Sequence, residues 1–168
     1  KKNLIYKRYG GVIMGMIACY QIVDEEIVRN LFNKSSEEVF EIIEELQEDA
    51  EVLDIDKMWD GLHFLLTNVT ASEPIVGSTL SEAIVGSERF CDEEDADFIS
   101  YILPDRVKSI FKELQAFDIE RAINGFNPKA FAQNGIYPNI WMHEEKEELM
   151  EELSCAFSEI LRFYKKCD

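Results

Sequence analysis

Apolar residues recur at three- and four-residue spacing over most of the chain and run together in only a few short stretches. That pattern predicts an α+β fold: a mostly helical single domain with a small sheet of two to three short strands. Met16–Val23 (MIACYQIV) mixes β-branched and aromatic residues and reads as a largely buried strand. Asp24 ends it and can cap a short helix over residues 25–32. Ser35-Ser36-Glu37-Glu38 has the form of a capping box, after which Val39, Ile42, Ile43 and Leu46 follow at helical spacing. Phe98–Leu103 is a second strand candidate, and residues 136–141 (IYPNIW) read as extended because Pro138 keeps Tyr137 out of helix.

The clearest amphipathic segment starts at Asp54, read as a helix cap. Ile55, Met58, Trp59, Leu62, Leu65 and Leu66 then form one broad apolar face. Gly61 costs about 1 kcal/mol inside a helix, so its place here predicts close approach by another element. Further helices are expected over residues 79–85, ended by Gly86, and from Pro104, with Val107, Ile110, Phe111 and Leu114 inward. Asp118 caps a short helix, Asn127-Pro128 opens the next and Asn134-Gly135 closes it. Residues 144–166 form a long amphipathic one, and Cys91–Asp97 is a surface turn. The helices from Asp54, Pro104 and Glu144 are expected to pack on the sheet and bury Trp59, Phe111 and Phe157.

With 46% hydrophobic and 30% charged residues, the chain is neither disordered nor a transmembrane bundle. Its formal charge of −17 disfavours nucleic acid and anionic membrane surfaces as partners. Lys1, Lys2, Lys7 and Arg8 are the only charges before Met14, so residues 14–168 carry −21, from 13 basic and 34 acidic groups. A basic head before an apolar stretch ending at Cys19 loosely matches a lipoprotein leader. Gly10, Gly11 and Gly15 break that stretch. Residues 1–13 are therefore read as an upstream extension or vector-derived residues, and 14–168 as the domain. Cys19, Cys91, Cys155 and Cys167 have no zinc-site spacing and are expected as free thiols in a cytoplasmic protein.

Candidate chemistry is sparse. Asp56, Asp60 and His63 share one helical face opposite the apolar stripe, which would suit a divalent metal or an acid/base pair, with His143 approaching from elsewhere. The competing reading is a surface pair of Asp60 and His63, with Lys57 an ordinary helix charge. No GxSxG, P-loop or GxGxxG occurs and no cofactor is expected, and no bound metal is expected because ligands of the right type and spacing are absent. Trp59, Tyr137 and Trp141 could line a ligand pocket with His143, although tryptophans so placed are more often core anchors. His63 has two readings: a buried neutral imidazole bridging internal groups, or a ring beside a cleft near Lys57 or Tyr137.

Residues 53–59 (LDIDKMW) followed by residues 62–67 (LHFLLT) resemble the signature helix of the YfbM-like family of bacterial proteins, a domain of unknown function. Residues 14–17 (MGMI), 80–86, 136–138 and Ile140-Trp141 agree in order, so the resemblance runs from residue 14 to about 165. It implies a small α+β domain of the bacterial cytoplasm with no established activity. Lys57, Trp59 and His63 fit the family pattern, whereas the position of Asp60 varies in type. In the family a short apolar strand usually follows the last helix, whereas this sequence stops at residues 166–168; the strand could be lost by truncation, or residues 4–13 could occupy its sheet position.

Two functions are expected in competition. One is a non-catalytic acidic binding protein, an immunity-like antagonist of a basic partner protein, supported by the charge and the lack of catalytic motifs. The other is a small hydrolase or transferase with a site around Lys57, His63 and Tyr137.

Overall fold

A computed structural model describes residues 2–11, 15–47, 50–90 and 98–167. The chain opens with strands β1 (Lys2–Gly11) and β2 (Gly15–Asp24), then helices α1 (Glu25–Leu31) and α2 (Ser36–Leu46) and strand β3 (Val52–Asp54). A single 3-10 turn, Asp56–Met58, leads into α3 (Trp59–Thr67). There follow α4 (Thr79–Val85), β4 (Glu88–Arg89), β5 (Phe98–Ile102), α5 (Pro104–Ala116), α6 (Ile119–Asn124), α7 (Pro128–Gln133) and α8 (Lys146–Cys167). The mostly helical α+β class is as expected.

The sheet is larger than its sequence signal. Among the described residues it has five strands in the order β3-β2-β1-β5-β4, every neighbouring pair antiparallel. Residues 2–11, read as an extension, form the middle strand. β1 pairs with β2 from Lys2↔Asp24 to Gly11↔Gly15, and with β5 from Leu4↔Ile102 to Arg8↔Phe98.

Alternation along the strands divides the core in two. Val23, Ile99 and Tyr101 pack with Val28 and Leu31 of α1 and with Val39 and Ile43 of α2. Ala18, Tyr20 and Ile102 face the opposite side, where α3, α4, α5 and α8 assemble the larger core around Trp59, Leu62, Ile84, Ile110 and Phe157. Trp59 and Phe157 are buried as expected, while Phe111 is only half-buried.

Local signals place most helix ends. The capping box of α2 is complete: Glu38 N–H donates to Ser35 Oγ, and Ser35 N–H to Glu38 Oε2 at 2.9 Å. Asp118 and Asn127 cap α6 and α7 through their side chains, and Pro104 occupies the first turn of α5. Asp24 precedes α1 without a side-chain cap bond. The C-terminus of α4 lies inside the protein, where its unpaired carbonyls need partners. Tyr164 Oη donates to Ala83 O, Tyr20 Oη to Ile84 O and Ser100 Oγ to Val85 O, at 3.0, 2.9 and 2.7 Å. Gly86 ends that helix at φ +80°, and a Cβ there would lie 2.7 Å from Ser100 Cβ.

Two further expectations fail. The helix does not begin at Asp54, because Asp54 Oδ1 takes the Asp56 N–H at 2.7 Å and Asp56 adopts φ 48°. This side-chain turn breaks the chain direction, and α3 starts at Trp59. Residues 136–141 do not extend as a strand. The Tyr137–Pro138 peptide is cis, Tyr137 N–H is bound by Asp60, and Ile136 O accepts from Trp141 Nε1, so these groups meet side chains instead of a neighbouring strand. The turn expected over Cys91–Asp97 lies outside the described residues.

Candidate functional site

α3 is enclosed on nearly every side: Trp59, Asp60, Gly61, Leu62, His63, Phe64 and Leu66 are all buried. Its polar residues therefore point into the protein, and the surface-pair reading of Asp60 and His63 is corrected. Asp60 Oδ1 accepts from Ala71 N–H at 2.7 Å and from Thr70 Oγ1 at 3.1 Å, and Oδ2 accepts from Tyr137 N–H at 2.8 Å. One carboxylate thus holds both the loop after α3 and the turn before α8.

His63 is fully buried. Its Nδ1 lies 2.7 Å from Val69 O, which can only accept, so Nδ1 carries the proton. Nε2 then accepts from Ser81 Oγ at 2.7 Å, and Ser81 Oγ in turn accepts Ile75 N–H at 3.0 Å. Thr67 Oγ1 donates to His63 O at 2.7 Å and accepts Val69 N–H at 3.2 Å. Both ring nitrogens serve the fold, one through a backbone carbonyl and one through a hydroxyl. Burial pushes the imidazole pKa down, against the Val69 carbonyl and the Asp60 charge, which favour the cation.

That shift has a pH consequence. A histidine whose pKa falls on folding binds its proton more readily unfolded, so its contribution is complete above the unfolded value near 6.5 and is lost as pH falls below it. Stability is expected to drop by up to about 1.4 kcal/mol per pH unit below that point. Urea melts of the native protein and of His63→Gln between neutral and mildly acidic pH test this. Parallel losses in the two proteins would remove His63 as the cause.

Both tryptophans are also internal, and Tyr137 is half-buried. Trp59 and Trp141 are each 1% exposed, and their indole N–H groups donate to Met16 O and Ile136 O at 3.1 and 2.7 Å. Tyr137 stacks on Trp59 with centroids 5.6 Å apart, and its hydroxyl accepts Met16 N–H at 2.8 Å. The approach expected at Gly61 is made by Trp141, whose Cζ2 would lie 2.7 Å from a Cβ at that position.

Lys57 stands apart, half-buried on the 3-10 turn. It borders a groove of about 430 Å³ between that turn, the turn before α8 and α8 itself. Met58, Pro138, Ile140 and Ala156 give the groove apolar walls, and Asp54, Asp56, Glu144, Glu152 and Glu159 make it acidic. Desolvation first, then repulsion from Glu144, Glu148 and Asp56, holds the Glu152 carboxyl above the usual carboxylate range. His143 is exposed, with its N–H on Ile140 O at 2.8 Å. His63 has no ring nitrogen left to share with it. Among the described residues no three His, Cys, Asp or Glu side chains gather as metal ligands.

Sequence reasoning did not find Ser81 or Thr70, the partners of the buried network, since nothing local marks a serine or threonine that will meet a distant acceptor. Nor did it find the acidic groove. The spacing of Glu148, Glu152 and Glu159 along one side of the last helix, with Glu144 just before it, was the signal available.

A mostly helical α+β domain with an internally saturated signature helix and an acidic groove beside it describes the class of protein. The particular family is shown by comparison: the chain belongs to the family described as Domain of unknown function (DUF1877), whose model matches residues 14–168. It is similar to Protein YfbM of Escherichia coli (strain K12), with 29% identity over 157 residues, covering 89% of this chain and 93% of that protein. The crystal structure of YfbM from Escherichia coli, a protein of unknown function, matches with a TM-score of 0.69 at 21% identity. That match covers 98% of this chain and 92% of the other, so the two share a fold.

Proposed function

We propose that the protein acts without catalysis, as an acidic antagonist in the cytoplasm that takes a basic segment of a partner protein into the groove beside Lys57. The gathering of Asp54, Asp56, Glu144, Glu152 and Glu159 around one apolar-walled groove carries this reading. A cationic side chain seated there relieves their repulsion, and the apolar walls give its stem or a neighbouring residue a surface to cover. The formal charge of −17 would steer such a partner inward in a salt-sensitive way. No helix among the described residues is long and apolar enough to cross a membrane. A hydrolase or transferase built on Lys57, His63 and Tyr137 has less support, because His63 and Tyr137 spend their polar atoms on the fold.

The probe is a synthetic peptide of alternating lysine and leucine pairs, titrated calorimetrically at low and at physiological salt. Glu144→Lys with Glu152→Lys is expected to weaken binding by about tenfold or more. Glu37→Lys with Glu41→Lys, on exposed positions of α2, changes the net charge equally and is expected to matter far less. Equal losses in the two variants would mean attraction to the overall charge and would overturn the groove.

A further inference from the structure

Glu82 is the one carboxylate of α4, and it is buried, with 8% exposed. Its two oxygens fare differently. Oε2 accepts from Arg106 Nε at 2.5 Å in an ion pair. Oε1 has no hydrogen-bond partner among the described residues, yet it is not shut away. Among those residues, the only unpartnered side-chain atoms closed to solvent are the two of the Gln21 amide. A buried carboxylate is costly unless its charge and its lone pairs are both met. Half of this one is unmet, and it is within reach of a guest.

Glu82 lines a cleft of about 240 Å³ between α4, the loop before it and β4. Pro74, Ile75 and Val85 give the cleft apolar walls. The loop is pinned at two points: Ile75 N–H donates to Ser81 Oγ at 3.0 Å, and Arg106 Nη2 donates to Gly77 O at 2.9 Å. The cleft is therefore preformed.

Its polar lining favours a guest that donates. The Ser87 hydroxyl proton goes to Tyr101 O at 3.1 Å, so Ser87 Oγ offers lone pairs, as Glu82 Oε1 does. Glu82 and Glu88 outnumber Arg89, the one basic residue of the lining. Together these select a cation with several N–H donors, and an ammonium group has three. The volume lies below the roughly 300–1,000 Å³ of ordinary ligand sites, so the body behind the charge is short.

We infer that this cleft binds a small aliphatic primary amine as its ammonium ion, with one N–H on Glu82 Oε1 and the alkyl chain against Ile75 and Val85. Arg106 and the guest then share the carboxylate, one cation on each oxygen. No residue of this cleft lines the acidic groove beside Lys57, and the inference stands whether or not that groove takes a basic partner.

The probe is n-butylammonium at neutral pH, with 1-butanol and butyrate as its neutral and anionic counterparts. In carbon–proton NMR spectra of the full chain, it is expected to shift the Ile75 and Val85 methyl resonances saturably. Nuclear Overhauser contacts from its methylenes to the Val85 methyls are expected as well. Butanol and butyrate are expected to produce neither. Glu82→Gln keeps an acceptor for Arg106 and turns an NH₂ toward the ammonium, so it is expected to weaken binding by about tenfold or more. Glu113→Gln, at an exposed position of α5, changes the net charge equally and is expected to leave binding as it was. Glu144→Lys with Glu152→Lys, which disables the acidic groove, is expected to leave the Val85 contacts in place. Three results would each overturn the inference: methyls unmoved at millimolar butylammonium, equal shifts from butanol or butyrate, or full-strength binding by folded Glu82→Gln. The first two are read on the native protein, so they decide even where that variant does not fold.

Discussion

Replacing Asp60 with alanine is expected to remove about 3–5 kcal/mol of stability, because several donors lose their acceptor at once. Ala71 N–H and Tyr137 N–H are backbone groups that cannot turn elsewhere, and Thr70 Oγ1 loses its bond as well. Each stranded buried donor costs about 1–3 kcal/mol, against a total stability of about 5–15 kcal/mol for an ordinary domain. Asp60→Asn is the informative companion. Its carbonyl can keep Ala71, but its NH₂ then meets Tyr137 N–H donor to donor, so the loss is expected to be about half as large. Urea unfolding at constant m-value measures both. Hydrogen exchange at the Ala71 and Tyr137 amides is expected to quicken in the alanine variant. A loss below about 1 kcal/mol would mean that water replaces the carboxylate and that the network is dispensable.

Gly61→Leu is expected to cost more than about 3 kcal/mol, or to prevent folding, since overpacking at a site that cannot yield exceeds the usual 1–3 kcal/mol. The obstacle is specific. A Cβ at Gly61 enters the six-membered ring of Trp141 and lies 3.5 Å from Leu153 Cδ2. Trp141 cannot step aside: its indole N–H is held by Ile136 O, and Phe131 and Phe126 pack on it at centroid distances of 4.7 and 6.2 Å. Gly61→Ala gains about 1 kcal/mol of helix propensity and still meets the ring, so a net loss of about 1–2 kcal/mol is expected. Adding Trp141→Phe to Gly61→Ala tests the cause. The double variant should be more stable than the sum of the two single losses, and strict additivity would place the strain elsewhere.

These two neighbours show how far the chain could be read. Gly61 declared itself, because a glycine inside an apolar helical stripe is costly and implies something pressed against it, although nothing local named Trp141. Asp60 did not. Periodicity assigned it to a solvated face, and that inference assumes a helix with one buried side. α3 has none exposed, so its polar residues became internal fastenings for the loop at Val69–Ala71 and the turn at Tyr137. His63 was poised between two readings until Val69 and Ser81 were seen on its two nitrogens.

The same division holds for the whole protein. Features that depend on residues a few positions apart were legible in the chain alone, and its order of residues was enough for them. It set the capping box at Ser35 and Glu38, the proline-led start of α5, the ends of α4 and α7, the amphipathic face of α8 and the mostly helical class. Those signals are local because a cap, a turn or a helical stripe is completed within one or two turns of chain. Tertiary structure alone decided the strand order β3-β2-β1-β5-β4, the inward turn of Asp60 and His63, the unmet amide of Gln21 and the meeting of Asp56 with Glu144 and Glu152. Each of those joins groups far apart in the chain, and whether a polar side chain ends in water, in a hydrogen bond or unpaired is settled only when the distant segment arrives.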